Sequence, residues 1–469
     1  MNMSKIEFYN TLKEQKEEFK PINERLVSMY HCGPTVYNYA HIGNLRSYVF
    51  ADTIRRLFES LGFDVKQVIN ITDVGHLSSD ADSGEDKMTK ALVREGKPFT
   101  IEAMREVGEH YTKLFFNDLS SLNIRTENTH FPRASDFIEK QIAMVLKLGE
   151  LEYTYETEDG IYFDTSKFKD YGKLGNINSS KESAQSRIDE NREKRNPSDF
   201  AVWKKSQNGI GFQSPWGLGY PGWHLECSVM SQSILGETFD IHTGGIDHIA
   251  IHHNNEIAQS ESVTGKPLAN YWMHNEHINV DNKKMAKSGE NFIILNDIKD
   301  KGYSPIAYRL LLLMAHYRTQ MSFSYESLSG AQNALSGIYK SLSSATKVGE
   351  ISLNHAEQFV SALSDDLDTP KGVSILFEVI NSKLSADDKY ATALYFDQFL
   401  GINIENEINN LKNETPVDIP ISVANLVQER EMARDKKDFE RADLLRDEIS
   451  KLGFSIEDKE GGPLVRKLQ

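Results

Sequence analysis

The chain has 469 residues, a formal net charge of -16, 39% hydrophobic residues and 26% charged residues. That size and balance describe a globular protein of two to four domains with a large core. They weigh against a uniformly basic nucleic-acid binder but leave room for a local basic stripe. Two cysteines, Cys32 and Cys227, exclude a disulfide scaffold as a class.

The opening MNMSKIEFYNTLKEQKEEFK lacks the apolar core of a signal peptide, and no run of about 18 apolar residues follows. A cytoplasmic protein with no membrane partner is expected. Residues 25–75 read as strand, turn, helix, strand. SMYHC enters a turn at Gly33–Pro34. Val49, Phe50, Ile54, Leu57, Phe58 and Leu61 then form one helical stripe, Gly62 stops it, and VKQVINI is rich in strand formers. This βαβ unit predicts a parallel sheet.

From about 76 to 210 the pattern is helical and charged, and 181–199 reads as an exposed, mobile connector. Strand and turn signals return between 210 and 295. Residues 300–410 read as almost wholly helical, with AYRLLLLMAHYR the most apolar segment. A polar linker is expected over 404–419 and a last helix over roughly 420–452, stopped by Gly453. No internal repeat is present.

Two groups of residues carry chemistry. Cys227 lies in GWHLECS, and IHHNNE follows 25 residues later with His252, His253 and Glu256. On a helix, His252 and Glu256 are four apart and share a face, while His253 is three from Glu256 and satisfies the same argument. Thiolate, imidazole and carboxylate together suit Zn²⁺, and Cys32 could add a fourth ligand. Polar side chains on an ordinary helix would show the same spacing.

The second group begins with PTVYNYAHIGN, Pro34 to Asn44, after the first strand. Gly43 permits close backbone approach, the following helix aims N–H groups at the same point, and His41 and Asn44 add donors, as a phosphate site requires. Much later KKMAKSGENF supplies Lys284 and Lys287 within Lys284 to Ser288, two cations suited to a pyrophosphate leaving group. A solvated basic turn would look alike in isolation.

In combination these pieces resemble class I aminoacyl-tRNA synthetases: HIGN is similar to their HIGH signature and KMAKS to their KMSKS loop. Within that class the chain resembles the cysteinyl-tRNA synthetase family. FYNTL, YHCGPTVYNYAHIGN, NITDV, RNPSDFAVWK, SPWGLGYPGWHLECS, FDIHTGGIDH, HHNNEIAQSE, KMAKSGENF and RDKKDFERADLLRDEISKLGFSIED carry the resemblance over nearly the full length. Asn44 stands where HIGH has its second histidine, and Ala286 where KMSKS has serine.

The resemblance implies an α/β fold: a class I Rossmann-like catalytic core with a connective insertion, then a helical stem and bundle and a small C-terminal anticodon-binding domain. Its implied boundaries are 1–120 and 211–300 for the catalytic halves, 121–210 for the insertion, 301–415 for the stem-contact region and bundle, and 416–469 for the anticodon-binding domain. It implies one zinc per chain on Cys32, Cys227, His252 and Glu256, choosing His252 over His253. It implies ATP with Mg²⁺ at His41, Gly43, Asn44, Gly244, Gly245, Lys284 and Lys287, and a cysteine pocket at Thr72, Trp223 and Asp247.

The implied reaction is activation of L-cysteine by ATP and transfer to tRNA-Cys by a monomer. Selectivity against serine would rest on the metal, because a shaped pocket gains only about 1–3 kcal/mol from so small a difference. A cysteine ligase of the mycothiol pathway would share the core but lack a tail like 420–469. A non-catalytic relative would have no need of the complete metal set and both signature lysines.

Overall fold

The computed structural model describes the chain except residues 1–4, 75–86, 180–192, 207–208, 281–282, 285–291, 414–418, 437, 460–461 and 468–469. It forms two compact units, Met1–Ile404 and Glu405–Gln469.

The first unit opens on a hairpin of β1 (Glu7–Asn10) and β2 (Gln15–Glu18). Next come β3 (Leu26–His31), α1 (Ile42–Ser60) and β4 (Asp64–Ile69). In α1 the predicted stripe residues Val49, Phe50, Ile54, Leu57 and Phe58 are buried together with the rest of 48–58, Leu61 is the C-cap, and Gly62, at φ +87°, follows it. Then follow α2 (Lys87–Arg94), α3 (Ile101–Ser121) and α4 (Ile138–Glu150). Strands β5 (Thr154–Thr157), β6 (Gly160–Phe163), β7 (Phe200–Lys205), β8 (Phe212–Ser214) and β9 (Gly217–Pro221) form an antiparallel sheet ordered β5-β6-β7-β9-β8. The helical reading of 76–210 therefore fails beyond residue 153. Four-residue strands are too short to show a period, and the strong amphipathic signal of α4 adjoins them.

The chain returns through α5 (Trp223–Leu235), β10 (Phe239–Gly245), α6 (Asp247–Ala250), α7 (His252–Thr264) and β11 (Ala269–Asn275). The strand-and-turn reading of 210–295 holds at β8, β9, β10 and β11; between them lie the helices α5, which that reading missed, and α7, the helix on which the His252–Glu256 spacing depends. Both are buried on several sides, so neither shows a polar–apolar alternation. The core sheet is parallel and ordered β11-β10-β3-β4. β3 and β10 are neighbours separated by the whole insertion, and their carboxyl ends open onto one crevice, where open α/β sheets bind ligands.

A small sheet of β12 (Ile278–Val280), β13 (Lys283–Lys284) and β14 (Met321–Phe323) follows. The helices are α8 (Leu295–Asp300), α9 (Pro305–Leu313), α10 (Tyr325–Leu342), α11 (Leu353–Ser364), α12 (Thr369–Asn381) and α13 (Ala386–Leu400). The expected connector 181–199 lies outside the described residues up to 192. Beyond that, Asp199 is buried and accepts from the Tyr155 hydroxyl at 2.8 Å, so this end is anchored.

The expected linker at 404–419 is instead helical at its start. α14 (Ile404–Asn413) has Ile404 and Ile408 fully buried, two apolar anchors that suffice despite polar neighbours. The single terminal helix expected over 420–452 is two, α15 (Ile421–Asp435) and α16 (Phe439–Lys451). The Asp438 carboxylate accepts from the Arg441 amide and caps α16, which explains the break. After Gly453, at φ +84°, β15 (Phe454–Lys459) and β16 (Gly462–Lys467) form a hairpin. Val423, Ile449, Phe454, Ile456 and Val465 make this unit's core.

Candidate active site

Cys32 follows β3, Cys227 lies in the first turns of α5, and α7 starts at His252, which places Glu256 one turn on. One donor atom from each of Cys32, Cys227, His252 and Glu256 lies within 4.8 Å of the others, and all four residues are buried. His252 Nε2 is 2.8 Å from Glu256 Oε1, yet among the described residues it makes no aligned hydrogen bond. Cys32 Sγ is 3.7 Å from the same oxygen. A buried imidazole lone pair, two sulfurs and a carboxylate facing one point are costly unless a cation sits among them. The donor set fits a metal, and its sulfur content favours a soft or borderline one.

A second group overlaps the first. Cys32, His242, His253 and Glu256 also lie within 4.8 Å of each other. His242 Nε2 holds Glu256 Oε2 at 2.7 Å, and its ring stacks on Trp272 at 4.4 Å between centroids. His253 Nε2 meets Cys32 Sγ at 3.3 Å. His242 carried no signal at helical spacing from the other donors; it comes from β10, and only the fold brings it in.

The cluster is electrostatically coupled. Burial pushes the Cys32 thiol well up, and its contact with Cys227 adds to this. Burial would raise Cys227 too, but the contacts of Cys32 and His252 override it and bring that thiol down to about 6. Burial would lower His252, yet the Glu256 charge and the Cys227 contact raise it to about 10. Glu256 is drawn below the usual carboxylate range against the cost of burial, by His242 and His252. Burial holds His224, His253 and His274 well below the ordinary imidazole range.

Cys32 also lines a cavity of about 290 Å³ that runs past Gly33–Thr35 to His41, Gly43 and Asn44 at the start of α1. Trp223, Gly245 and Asp247 line it as well. Gly33 cannot carry a side chain: its Cβ would lie 1.6 Å from the Asn70 carbonyl oxygen. His41 is the N-cap of α1. Its Nδ1 accepts from the Asn44 amide at 3.1 Å, and Asn44 Oδ1 faces the His41 amide at 3.3 Å. With Nδ1 accepting, the ring proton of neutral His41 is on Nε2.

Not every expected residue faces the cavity. Thr72 is buried behind it, donating to Glu226 Oε2 at 2.7 Å. A Cβ on Gly244 would meet the His248 and His253 rings, so this position backs the buried Cys/His/Glu cluster. Lys284 is described only as a residue of β13, and Lys287 with the rest of Met285 to Ser288 lies outside the described residues. Residues unread in the sequence also emerge. Lys87 is the only lysine or arginine lining the cavity among the described residues, with Nζ 5.7 Å from the Trp223 ring centre. Glu226 is fully buried beside Cys227, and burial raises its carboxyl far above the usual range. A lone Glu in GWHLECS offers no pattern from which this could be read.

Residues 18–333 match the family described as tRNA synthetases class I (C) catalytic domain, and residues 417–466 match the cysteinyl-tRNA ligase anticodon binding domain. The chain is 42% identical to the cysteine–tRNA ligase of Treponema denticola, over 99% of this chain and all of that one. It is also 42% identical to cysteine–tRNA ligase 1 of Burkholderia lata, over 97% and 96%. Among solved structures it resembles Mycobacterium tuberculosis methionyl-tRNA synthetase bound by methionyl-adenylate, with a TM-score of 0.56, 15% identity and coverage of 86% and 96%, a likeness of fold. With a parallel core interrupted by an antiparallel insertion, a buried Cys/His/Glu cluster at its crevice and near-full-length identity of this order, the chain belongs to the cysteine–tRNA ligases of the class I aminoacyl-tRNA synthetases.

Proposed function

We propose that L-cysteine and ATP react in the cavity at the crevice, with one zinc ion per chain held by Cys32, Cys227, His252 and Glu256. The observation that carries this reading is the buried four-donor cluster at one end of a cavity whose other end meets the start of α1. When bound there, zinc would supply a Lewis acid that favours a deprotonated substrate sulfur over the harder, less acidic hydroxyl of serine. No editing domain is then needed.

In this reading Trp223 walls the amino-acid pocket, Asp247 pairs with the substrate ammonium, and Thr72 acts through Glu226. The cysteine carboxylate attacks the α-phosphate of ATP, which enters with Mg²⁺. His41 donates from Nε2 to the phosphates, since Asn44 engages the other ring nitrogen. Gly43 and the first amides of α1 receive the phosphate charge, while Lys284 and Lys287 close over the departing pyrophosphate. Gly245 lets the adenosine approach, with Gly244 supporting it from behind.

The terminal ribose 2′-OH of tRNA-Cys then takes the acyl group. No covalent enzyme nucleophile is required, because positioning and charge stabilisation suffice. In the C-terminal unit Arg430 is only 2% exposed, which leaves the exposed Arg441, Arg446 and Phe439 to meet splayed anticodon bases. The protein works as a monomer.

The test is charging of total tRNA with labelled cysteine by zinc-loaded protein. Charging of one isoacceptor family is expected. Pyrophosphate exchange with cysteine but no charging would assign another acceptor.

A further inference from the structure

The FYNTL segment near the start of the chain has no part in the chemistry described so far, yet it is fastened to the sheet edge behind the metal cluster. The Asn10 side chain is fully buried and bonds the β11 backbone twice: Nδ2 donates to the Asn270 carbonyl at 2.9 Å, and Oδ1 accepts from the Trp272 amide at 3.1 Å. The Thr11 amide donates to the Trp272 carbonyl at 2.8 Å. These bonds bring the Thr11 hydroxyl to 2.8 Å from His274 Nδ1. His274 Nε2 is 2.8 Å from His253 Nδ1, and His253 Nε2 is 3.3 Å from Cys32 Sγ. His253 is fully buried and His274 is 6% exposed.

We infer that Thr11 is a remote positioning residue of the metal centre, acting through His274 and His253 on the Cys32 sulfur. The inference rests on the proposed zinc site. A metal-bound cysteine is a thiolate and can only accept, so His253 must present its proton on Nε2. Its Nδ1 is then a lone pair, which takes the proton of His274 Nε2, and His274 Nδ1 in turn needs a donor. The Thr11 hydroxyl is the group within reach that supplies it. The chain of bonds therefore has one polarity, set at the sulfur and completed at the N-terminal hairpin. Outer partners of this kind orient a ligand and tune its hold on the metal. The sequence separation, 263 residues between Thr11 and His274, hides the link from any local motif.

The test compares full-length, zinc-loaded wild type with Thr11→Val, which keeps the shape and removes the hydroxyl, and Thr11→Ser, which restores it. Zinc transfer to a chromogenic chelator and the thiolate-to-metal absorption of the cobalt-substituted protein are read directly. KM for cysteine and for ATP are measured alongside. Glu17→Gln serves as the hairpin control, because Glu17 Oε2 accepts from Asn10 Nδ2 at 2.8 Å but does not touch His274. The expected result is zinc release about tenfold faster in Thr11→Val, with a shifted absorption band and a raised KM for cysteine alone. Thr11→Ser and Glu17→Gln should both behave as wild type.

Wild-type release and absorption in Thr11→Val would overturn the inference while leaving the zinc site standing. Equal loss in Glu17→Gln would also overturn it, by assigning the effect to hairpin packing. Wild-type protein that binds no zinc would overturn both the inference and the proposed site.

Discussion

At the scale of single residues, the site is a set of buried donors that are stable only as a group. Cys227→Ser keeps the volume but replaces the softest donor. It should lower zinc content and reduce cysteine-dependent pyrophosphate exchange by at least about 100-fold, beyond the usual effect of losing an outer partner. Metal analysis and exchange on the same sample check this, and full zinc occupancy would remove Cys227 from the ligand set. Asp118, on α3, offers a cleaner electrostatic test away from the buried donors. Burial raises its carboxyl from 3.8 to about 6, against a smaller pull from Lys299. The folded state thus binds the proton more tightly than the unfolded chain. That contribution is complete below pH 3.8 and is lost as the pH rises through about 6. Asp118→Asn should therefore stabilise the protein at pH 8 by about 2 kcal/mol and by less at pH 5. Equal gains at both values, by urea midpoints, would show that burial of the charge is not the cause.

At the scale of elements, α1 is held at its start and along its middle. Its start carries the His41–Asn44 cap at the cavity, and its middle is locked by a buried charge network. Arg309, on α9, donates to Asp52 Oδ2 at 2.6 Å, to the Leu400 carbonyl at 2.7 Å and to the Leu122 carbonyl at 3.0 Å. Arg56 Nε meets the same Asp52 oxygen at 2.7 Å. Arg309→Met should cost about 3–5 kcal/mol, because it leaves Asp52 and two carbonyls short of a buried donor. Denaturant unfolding checks the magnitude; a loss under 1 kcal/mol would mean that water replaces the guanidinium. Element prediction succeeded for α1, whose apolar period runs over 19 residues, and for β3 and β4, the short strand-forming runs that flank it. It failed for β5 and β6, whose four residues show no period, and for α5, whose wide burial erases the amphipathic contrast.

At the scale of the whole molecule, the two compact units divide the chain between the crevice with its Cys/His/Glu cluster and a small helical unit ending in a hairpin. A chain ending at residue 413 should keep cysteine-dependent pyrophosphate exchange within about threefold of wild type. Charging of tRNA-Cys should fall by more than about tenfold, since recognition of splayed bases contributes roughly 1–3 kcal/mol per base. Unchanged charging would remove residues 414–469 from tRNA recognition.

Much of the site was legible along the chain. HIGN follows a strand and opens a helix, as a phosphate site must, and His252 and Glu256 share a helical face by spacing alone. The motif set, read as a whole, fixed the family. The sequence could not decide where the distant pieces meet. A parallel sheet joins strands only through long crossovers, so β3 and β10 are neighbours in space with the insertion between them in the chain. That pairing sets Cys32 beside Cys227 and α7, turns His242 onto Glu256, and brings His253 between Cys32 and His274. It also puts Thr72 behind Glu226 rather than at the cavity wall. Local spacing determined which residues could act together on one helix. Which helix, strand and hairpin converge on one buried point was decided only by tertiary packing, because non-local contacts leave no period in the sequence.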